Sequence, residues 1–513
     1  MKELKEILCD VEVSAVVGDA SVMIESLTYD SRTVGRGACF FAMRGTRSDG
    51  HDFIPQAVAQ GVAAVICEKL PQSCDPNVCY VQVGDCNAAQ GAAASAFYDH
   101  PSRELKLVGV TGTNGKTTVA TLLFDLFRAA GYEAGLISTV AYRIGDRTIE
   151  STHTTPDAIR LNAMMREMAD AGCQYCFMEC SSHAIVQRRI GGLHFAGGLF
   201  TNLTHDHLDY HKTFAEYLKA KKLFFDELPS DAFAIVNIDD RNGRVMVQNT
   251  RAAVKTLSLR SPADFRCKII EMTTDGMLLR MDGTEVWVKF LGRFNASNLL
   301  TVYSAAVMLG LPEEEVLTIM STLTPVSGRF EYVRADDGTM AVVDYAHTPD
   351  ALENVILTIE EVRRKGQQLI VLCGCGGDRD RTKRPEMAAI AVKYATISIF
   401  TSDNPRTEDP VEILREMTDG LPSGARFLTI VDRSEAIRTA VMLANAGDII
   451  LLAGKGHETY QIIGTEKRHF DDREEVTSRF KEYNRIRNVA IKRGQKQFTD
   501  YAEREQRKEP NGS

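Results

Sequence analysis

The chain has 513 residues, of which 44% are hydrophobic and 25% are charged; this composition is typical of soluble globular proteins and excludes extended disorder. Its formal net charge of −9 argues against general binding to nucleic acids or anionic membranes, although a local basic groove for an anionic substrate is compatible with it. Because we find no signal peptide and no apolar stretch that could span a membrane, we expect a cytoplasmic protein, with about three domains at this length.

Twelve cysteines are scattered along the chain without the spacing of a disulfide framework. Cys173 and Cys176 form a C-x-x-C pair, which is followed by Cys180. A structural zinc site would need a second pair at suitable spacing, and the sequence contains none. We therefore expect reduced, partly buried thiols.

The first part of the chain mixes short strands and helices. We predict ordered segments in "SLTYDSR" (26–32) and "ACFFAM" (38–43), and a helix followed by a strand in "DFIPQAVAQGVAAVICE" (52–68), with Gly61 at the break. The polar passage "YDHPSRELK" (98–106) separates this region from the next. We place the first domain boundary at residue 104.

The segment "LVGVTGTNGKTTVATLLFDLFRAAGY" (107–132) predicts a strand, a glycine loop and an amphipathic helix. Backbone N–H groups and the helix dipole can hold phosphates there, with Lys116 at the β- and γ-phosphates and the Thr117 hydroxyl on Mg²⁺. The spacing departs from the usual P-loop because Val110 stands where the first glycine belongs, and a glycine turn capping a helix is the alternative interpretation. We favour ATP binding. The residues expected to contact ATP here are Gly112, Thr113, Asn114, Gly115, Lys116, Thr117 and Thr118.

Beyond "TPVSGRFEYV" (324–333) the pattern changes to alternating strands and helices. The apolar runs "MAVVDYA", "LIVLCGC", "ISIFTSD", "FLTIVD" and "DIILLAGKG" predict a doubly wound parallel sheet. The strand ends read "DYAHTPD", "GCGGDRDRTKR", "DNPR" and "GKGHE", and ligands of such sheets bind at that edge. The charged tail after residue 483 is expected to be solvated surface.

Eight motifs, in order along roughly residues 20 to 475, resemble those of the Mur ligases. They are "GVTGTNGKTT", "ECSSHAIVQRR", "FTNLTHDHLDYH", "GRFNASN", "DYAHTPDAL", "GCGGDRDRTKRP", "DNPRTEDP" and "AGKGHE". The resemblance implies an α/β protein of three domains: a UDP-substrate-binding domain (1–104), a central P-loop-type ATPase domain (105–328) and a Rossmann-like amino-acid-binding domain (329–483), followed by the charged tail (484–513).

The family activates a carboxylate as an acyl phosphate with ATP, and an amine then displaces phosphate, so catalysis is mostly charge neutralisation and alignment. The resemblance implies that Thr117, Glu179, His207 and a carbamate on Lys221 hold two Mg²⁺ ions. It also implies that Lys116, Glu179, His207 and Lys221 are the catalytic residues. The alternatives are a solvated strand-end carboxylate for Glu179, a helix cap for His207 and an ordinary helix face for the lysines of "KAKKLFF" (219–225). Lys222 is the alternative register for the carbamate.

Further contacts follow from the resemblance. Asn295, Arg329 and Asp344 match ATP contacts, and Asn295 could otherwise be a helix N-cap, because we predict a helix to begin there. The "GTRS" stretch (45–48) could otherwise be a simple turn. The positions that match the site of the acceptor UDP-nucleotide are Tyr29, Ser31, Thr46, Arg47, Ser48, Thr154, Thr155, Ser181, Gln187 and Arg189.

The stretch "DNPR" (403–406) places polar side chains around Pro405, which restricts the backbone. A guanidinium pairs bidentately with a carboxylate, and diaminopimelate carries a second carboxylate that lysine lacks, so Arg406 would favour diaminopimelate. The alternative is an exposed salt bridge from Arg406 to Glu408 or Asp409. The remaining residues of the implied diaminopimelate site are Arg384, Asp403, Asn404, Pro405, Gly454 and Glu458.

The resemblance therefore implies a monomeric ligase that adds meso-2,6-diaminopimelate to UDP-N-acetylmuramoyl-L-alanyl-D-glutamate for peptidoglycan synthesis, with no nucleic-acid or membrane partner. Relatives that add L-lysine, or that extend folate with glutamate, are the alternatives within ligases, and "DNPR" and "HTTPD" argue against both. A non-catalytic scaffold would be favoured by loss of the four catalytic residues, and all four are present.

Overall fold

The computed structural model describes residues 1–45, 48–151, 153–204 and 208–484. The chain divides into two compact units, Met1–Thr324 and Pro325–Ser513. The predicted boundaries at residues 104 and 328 remain predictions, and all but the first residue of the predicted tail lies outside the described residues. Within the described residues, no helix combines the length and the apolar character needed to cross a membrane.

The first hundred or so residues of the first unit are built on a five-stranded sheet. In chain order the elements are β1 (Lys2–Glu3), α1 (Leu4–Ile7), β2 (Val13–Val17), β3 (Met23–Ile24), β4 (Ser26–Thr28), β5 (Ala38–Ala42), a 3₁₀ turn (Gly50–Phe53), α2 (Ile54–Ala59), β6 (Ala64–Cys67), β7 (Cys79–Val83), α3 (Cys86–Phe97) and α4 (Pro101–Glu104). The sheet order is β2-β7-β6-β5-β4, parallel except for β2 against β7. The helix α2, the break at Gly61 (φ +88°) and the strand β6 confirm the predicted helix–strand unit.

The rest of the first unit forms an eleven-stranded sheet. Its elements are β8 (Lys106–Thr111), α5 (Lys116–Ala129), β9 (Ala134–Ile137), β10 (Ala141–Ile144), β11 (Arg147–Glu150), α6 (Ala158–Asp170), β12 (Tyr175–Glu179), α7 (Ser182–Val186), β13 (Gly197–Phe200), α8 (Leu208–His211), α9 (Phe214–Asp226), β14 (Phe233–Asn237), α10 (Gly243–Met246), β15 (Ala253–Ser258), β16 (Phe265–Thr273), β17 (Gly276–Met281), β18 (Thr284–Val288), α11 (Arg293–Met308) and α12 (Glu313–Met320). The order is β11-β10-β9-β12-β8-β13-β14-β15-β16-β17-β18. The strands from β9 to β16 in this order are parallel, so the carboxyl ends of β8, β12 and β13 lie at one edge.

The second unit contains a six-stranded sheet. Its elements are β19 (Glu331–Arg334), β20 (Met340–Asp344), α13 (Pro349–Val362), β21 (Leu369–Cys373), α14 (Lys383–Tyr394), β22 (Ile397–Phe400), α15 (Pro410–Thr418), β23 (Phe427–Thr429), α16 (Arg433–Leu443), β24 (Ile449–Ala453), β25 (Tyr460–Ile463) and β26 (Glu466–His469), and residues 472–484 are helical. The order is β19-β20-β24-β21-β22-β23, with only β19 antiparallel. The predicted parallel sheet is thus confirmed, with an antiparallel edge strand added.

Burial explains why the central strands of this sheet are apolar throughout. Every residue of β20, β21 and β24 is buried, as expected for parallel strands that are covered on both faces. One face packs against α16 and the helical residues 472–484 through Ile437 and Val476, and α14 contacts β21 and β22. The carboxyl ends of β20, β22 and β24 therefore lie together at one edge, where the sequence predicts a site.

Candidate functional site

The glycine loop at residues 112–118, called here the phosphate loop, follows β8 directly and leads into α5. Gly112 has φ +150°, and a Cβ there would lie 1.9 Å from Oγ1 of Thr201. Gly115, with φ +88°, precedes the first residue of α5. Only glycine adopts these conformations without strain, so the sequence forces the tight strand–loop–helix turn that places backbone N–H groups at the helix N-terminus.

Two lysine side chains converge on the Gly112 carbonyl. Nζ of Lys116 donates to the Gly112 oxygen at 2.8 Å and to the Thr113 oxygen at 2.7 Å. Nζ of Lys221, from α9, donates to the same Gly112 oxygen at 2.7 Å. Lys221 is 1% exposed, so its interpretation as part of an ordinary helix face is wrong. Two ammonium groups on one oxygen repel each other, and an anion placed between them would lower that repulsion.

Lys222, the alternative register for the carbamate, has a different environment. Its Nζ lies 2.5 Å from Oδ1 of Asp226, one turn along α9. This contact is an ordinary i,i+4 helix ion pair. The structure thus separates the two neighbouring lysines, with Lys221 at the phosphate loop and Lys222 in a helix pair.

Glu179 ends β12, whose register pairs it with Val110 on β8. It is 1% exposed, and its Oε1 accepts a hydrogen bond from the Thr139 N–H at 2.7 Å, so the interpretation as a solvated carboxylate is wrong. Thr117 is also buried, in the first turn of α5. A carboxylate and a hydroxyl are hard oxygen donors of the kind that Mg²⁺ prefers, so these residues fit a magnesium site. His207 and its two proposed roles lie outside the described residues.

Asn295 lies inside α11 and is not its N-cap. The helix begins at Arg293 after Gly292, which makes the N-cap interpretation wrong. The Asn295 side chain donates to the Leu291 carbonyl at 2.9 Å and accepts from Nδ2 of Asn298 at 3.4 Å. A Cβ on Gly115 would lie 2.4 Å from Oδ1 of Asn298. Asn298 therefore connects Asn295 to the phosphate loop.

Several of the predicted acceptor residues form one network beside Glu179. The Arg189 guanidinium donates to Oε1 of Gln187 and, at 2.9 Å, to the Thr155 carbonyl. The Thr155 hydroxyl donates to the Glu179 carbonyl at 2.7 Å and accepts from the Ser181 N–H at 3.2 Å. These hydrogen bonds bring Thr155, Ser181, Gln187 and Arg189 to the carboxyl end of β12.

The other predicted acceptor residues lie on separate segments. Thr154 accepts a hydrogen bond from the Thr139 hydroxyl at 3.2 Å, which places it near Glu179. Burial and the charge of Asp157 raise the pKa of Tyr29, and Arg189 opposes that shift. Ser31 is buried, whereas Ser48 is exposed and its carbonyl accepts from the Gly45 N–H at 2.9 Å. Thr46 and Arg47 lie outside the described residues.

In the second unit, Asp344 and Arg329 lie at the carboxyl end of β20. Burial raises the pKa of Asp344 to about 6, and Arg329 and the backbone N–H groups of Phe330 and Ala346 oppose this shift. The Arg329 guanidinium lies 4.6 Å from the centre of the Tyr345 ring. These residues form a second cluster of predicted ATP contacts.

The stretch Asp403–Arg406, called here the 403–406 loop, is held by a β-hairpin that the sequence reasoning missed. Gln461 donates to the Asp403 carbonyl at 2.7 Å, and the Ile462 N–H donates to Oδ1 of Asn404 at 2.9 Å. The backbone of Arg406, at φ +52°, bonds to Ile462 and Gly464. The run "YQIIGTEKRH", with Gly464 between two strand-like segments, carries the hairpin signal.

The Arg406 guanidinium donates to the Gly377 carbonyl at 2.8 Å. Glu408 pairs instead with Arg384 and Arg381, and Asp409 caps α15. Among the described residues Arg406 thus has no ion pair with either carboxylate, and the salt-bridge interpretation is wrong. The Arg406 side chain is held by a backbone carbonyl, and the carboxylates of Glu408 and Asp409 do not neutralise its charge.

Arg384 is 0% exposed and makes a different set of contacts from the one predicted. Its guanidinium binds Glu408 at 3.0 Å, Glu416 at 2.6 Å and the Gly376 carbonyl at 3.3 Å. Hydrogen bonding to Arg384 lowers the pKa of Glu408 to about 2. These contacts anchor the chain next to the 403–406 loop, and a direct contact of Arg384 with the amino acid remains a prediction.

Gly454 and Glu458 follow β24 and meet the 403–406 loop. A Cβ on Gly454, which has φ +114°, would lie 3.7 Å from Oδ2 of Asp403. Oε2 of Glu458 accepts from Nδ2 of Asn404 at 2.8 Å. Pro405, which lies between Asn404 and Arg406 in the sequence, is buried. The structure therefore brings the residues predicted from two separate motifs to one place.

Two buried cations here were not predicted as site residues. Arg433 and Asp472 form an ion pair at 2.6 Å with both side chains 0% exposed, and Arg433 also donates to the Ser402 and Ala453 carbonyls. Lys455 is 0% exposed and lies beside Glu458. Arg433 gives no sequence signal, because "VDRSEA" is typical of an exposed helix start, but Lys455 stands within the "GKGHE" strand end.

Three family models match the chain. The model described as "Mur ligase family, catalytic domain" matches residues 23–104, "Mur ligase middle domain" matches 110–306, and "Mur ligase, glutamate ligase domain" matches 328–456. Together these models span most of both units.

Similar proteins extend over nearly the whole chain. It is 54% identical to the UDP-N-acetylmuramoyl-L-alanyl-D-glutamate–2,6-diaminopimelate ligase of Phocaeicola vulgatus, covering 92% of this chain and 98% of the relative. It is 43% identical to the ligase of the same name from Bacillus cereus, covering 90% and 94%. A solved structure of a ligase of this name matches with TM-score 0.68 and 32% identity, covering 94% of this chain and all (100%) of the other. The MurF ligase of Thermotoga maritima in complex with ADP, at 17% identity and TM-score 0.60, covers 91% and 99% and shares the fold.

Proposed function

This chain belongs to the Mur ligase family, and we propose that it adds meso-2,6-diaminopimelate to UDP-N-acetylmuramoyl-L-alanyl-D-glutamate with hydrolysis of ATP to ADP and phosphate, as a step of peptidoglycan precursor synthesis. The observation that carries the choice of amino acid is Arg406. Its guanidinium is fixed by the Gly377 carbonyl on a loop that the hairpin clamps, and a fixed fork of donors suits a carboxylate.

The reaction forms an amide in two steps. A carboxylate oxygen of the acceptor attacks the γ-phosphorus of ATP, and ADP leaves. The neutral amine then attacks the acyl carbon, the bond from this carbon to the phosphate oxygen breaks, and phosphate leaves while the nitrogen loses a proton to give the amide. Lys116 and the N–H groups at the start of α5 neutralise and orient the phosphates. When bound, Mg²⁺ supplies further neutralisation of the phosphate charge, and Thr117 and Glu179 are the described residues that would hold it.

We also propose that Lys221 carries a carbamate. The neutral amine attacks CO₂ and releases a proton, which changes a cation into an anionic oxygen ligand. The support for this modification is the geometry of the phosphate loop, where Lys116 and Lys221 both donate to the Gly112 oxygen. A carbamate on Lys221 would reverse the charge of one of these two neighbours, which replaces repulsion by attraction. It would also add oxygen donors at the phosphate loop for a second Mg²⁺.

The neighbouring lysine gives the matched control for the carbamate. Lys221→Ala should lose most ligase activity, by about 100-fold or more, because the metal ligand is lost. Lys222→Ala, which removes only the pair with Asp226, should keep nearly full activity. The intact mass of the native protein should exceed the sequence mass by one CO₂. A fully active protein with unmodified Lys221 would remove the proposal.

The assignment of sites follows the division of the chain. We propose that residues 1–104 and the Thr155–Arg189 network bind the acceptor nucleotide, that 105–328 binds ATP, and that 329–483 binds the amino acid. Arg329 and Asp344 stay predicted ATP contacts by family resemblance. Thr46, Arg47 and His207 belong to these proposed sites by family resemblance alone. We further propose that the enzyme acts as a cytoplasmic monomer.

The direct test is phosphate release in the presence of ATP, Mg²⁺ and the UDP-dipeptide acceptor. Release should depend on meso-diaminopimelate and be far slower with L-lysine. Release with L-lysine at the same rate would replace the proposed amino acid by its closest alternative. No amino-acid-dependent release in a folded preparation would favour a non-catalytic scaffold, and folate-dependent release with glutamate would identify the folate-extending activity.

A further inference from the structure

Lys455 is a buried lysine that takes no part in the two reaction steps proposed above. It follows Gly454 after β24, and its side chain is 0% exposed. Its Nζ donates to Oε2 of Glu458 at 3.2 Å and to Oδ1 of Asn404 at 3.4 Å, and it lies 3.7 Å from Oδ1 of Asp403. Lysine is almost never fully buried unless it is paired, so the charge must be matched by these neighbours.

The two carboxylates beside Lys455 are not equivalent. Oε2 of Glu458 accepts from both Lys455 and, at 2.8 Å, Nδ2 of Asn404. Burial and the charge of Asp403 raise the pKa of Glu458, and Lys455 and Asn404 oppose that shift. Oδ1 of Asp403 is buried and has no hydrogen-bond donor among the described residues. One carboxylate is thus engaged by the protein, and the other keeps an open acceptor.

Hydrogen bonds hold the chain segments that carry the two carboxylates. Gln461 holds the Asp403 carbonyl, and the Ile462 N–H holds the Asn404 side chain from the hairpin. The backbone of Glu458 is held as well, because its N–H donates to the Lys455 carbonyl at 2.9 Å. A change in charge would therefore change the electrostatic potential at this site, because the chain around it can shift little to compensate.

We propose that Lys455 is a positioning residue that sets the charge balance of the amino-acid site by neutralising Glu458, so that Asp403 alone faces the ammonium group of the incoming side chain. The inference rests on the proposed function. With Lys455 present, the charges of Asp403, Glu458, Lys455 and Arg406 sum to zero, which matches a side-chain end carrying one ammonium and one carboxylate. Without Lys455 the sum is −1, which matches the single ammonium of L-lysine.

The test compares kcat/KM for meso-diaminopimelate and L-lysine in wild type, Lys455→Met and the double variant Lys455→Met/Glu458→Gln. At a pH at which Glu458 is ionised, the preference of the single variant for diaminopimelate should fall by about 10-fold or more, because an uncompensated negative charge repels the distal carboxylate and attracts a lone ammonium. In the double variant the sum of charges returns to zero, and the ratio of the two kcat/KM values should recover to within about threefold of wild type, while both values fall because Glu458 belongs to the amino-acid site. The KM for ATP should stay unchanged in both.

A pH series strengthens this comparison, because burial favours a proton on Glu458 once Lys455 is gone. The charged and titratable groups that face Glu458 are Asp403, Lys455, Tyr345 and Tyr460. In Lys455→Met the preference should therefore fall further as the pH rises and Glu458 ionises, and in the double variant this dependence should vanish. A lysine with a merely structural role would lower activity towards both amino acids equally and leave this profile flat.

The outcomes separate the inference from the function on which it rests. If wild type releases no phosphate with diaminopimelate, the proposed function fails. If wild type is active and the ratio stays fixed in Lys455→Met, or falls and is not restored in the double variant, the role of Lys455 is overturned. Should Lys455→Met fail to fold, Lys455→Gln and the double variant decide: a double variant without the wild-type preference contradicts the inference.

Discussion

The phosphate loop of the first unit and the 403–406 loop of the second hold their charged groups in opposite ways. At the phosphate loop, the ammonium groups of Lys116 and Lys221 converge on the Gly112 carbonyl oxygen. Around the 403–406 loop, buried cations lie against carboxylates of the protein, as Arg433 does with Asp472 and Lys455 with Glu458.

The two arrangements contribute differently to activity and to the stability of the fold. Cations gathered on a carbonyl add little to the stability of the fold, and their charge becomes useful when phosphate arrives. Cations paired with buried carboxylates are part of the fold, because removing one leaves a desolvated charge behind. Substitutions should therefore separate activity from stability in the first region and couple them in the second.

The largest effect is expected from Lys116→Ala. Ligation should fall by about 1,000-fold or more, because the charge that meets the γ-phosphoryl group is lost. The free energy of unfolding should fall by only about 1 kcal/mol, because the Lys116 ammonium is held by hydrogen bonds to the Gly112 and Thr113 carbonyls, and such bonds contribute little net stability. Phosphate release and denaturant unfolding measure the two quantities, and ligation at a near wild-type rate would refute the assigned role.

Arg433→Met should have the largest effect on stability. It leaves Asp472 charged and 0% exposed, at a cost of about 3–5 kcal/mol in the free energy of unfolding. The double variant Arg433→Met/Asp472→Leu should recover most of this loss, because both charges are gone. It should still bind the amino acid less tightly than wild type, since Arg433 no longer holds the Ser402 and Ala453 carbonyls. Equal stability of the single variant and wild type would contradict the comparison.

The smallest effect concerns His457, whose ring centre lies 4.9 Å from that of Tyr345. Burial, and then the charge of Arg329, lowers the pKa of His457 from 6.5 to about 3. The unfolded chain binds a proton between these values that the folded chain does not, so stability falls as the pH drops through this window. In His457→Phe the fall should be shallower, by at most about 1.4 kcal/mol per pH unit.

Asp344 supplies the control of opposite sign for that measurement. Burial raises its pKa from 3.8 to about 6, so its contribution to stability is complete below the lower value and is lost as the pH rises through the upper one. Asp344→Asn should therefore steepen the loss of stability in acid. Unfolding curves of the two variants that changed in the same direction would show that burial does not control these two groups.

The sequence predicts the parallel sheets and the phosphate loop well, because both rest on local signals. Apolar runs such as "LIVLCGC" and the glycines of "GTNGKTT" determine their own backbone. The resemblance further placed Lys221, which the structure buries against the loop, although composition alone indicated a helix face.

The remaining features depend on contacts between distant parts of the chain. Arg433 and Asp472 are far apart in sequence, and each reads locally as an ordinary charged surface residue. Their pairing depends on the packing of the helical residues 472–484 against α16. The N-cap interpretation of Asn295 failed because α11 begins two residues earlier, and element boundaries are the least reliable part of a pattern. The hydrogen bonds that hold Asp403 and Asn404 beside Lys455 likewise come from the hairpin, which local patterns did not predict.

The most direct measurement for the central claim is the ratio of kcat/KM for meso-diaminopimelate to that for L-lysine, in wild type and in Arg406→Ala. In Arg406→Ala we expect kcat/KM for diaminopimelate to fall by about 30-fold to several thousand-fold. The ratio should shrink by a similar factor, because attraction to the distal carboxylate and repulsion of the lysine ammonium are lost together. Arg406→Lys keeps the positive charge but lacks the forked pair of donors, so its ratio should lie between those of wild type and Arg406→Ala. A ratio that does not move in Arg406→Ala would contradict the account.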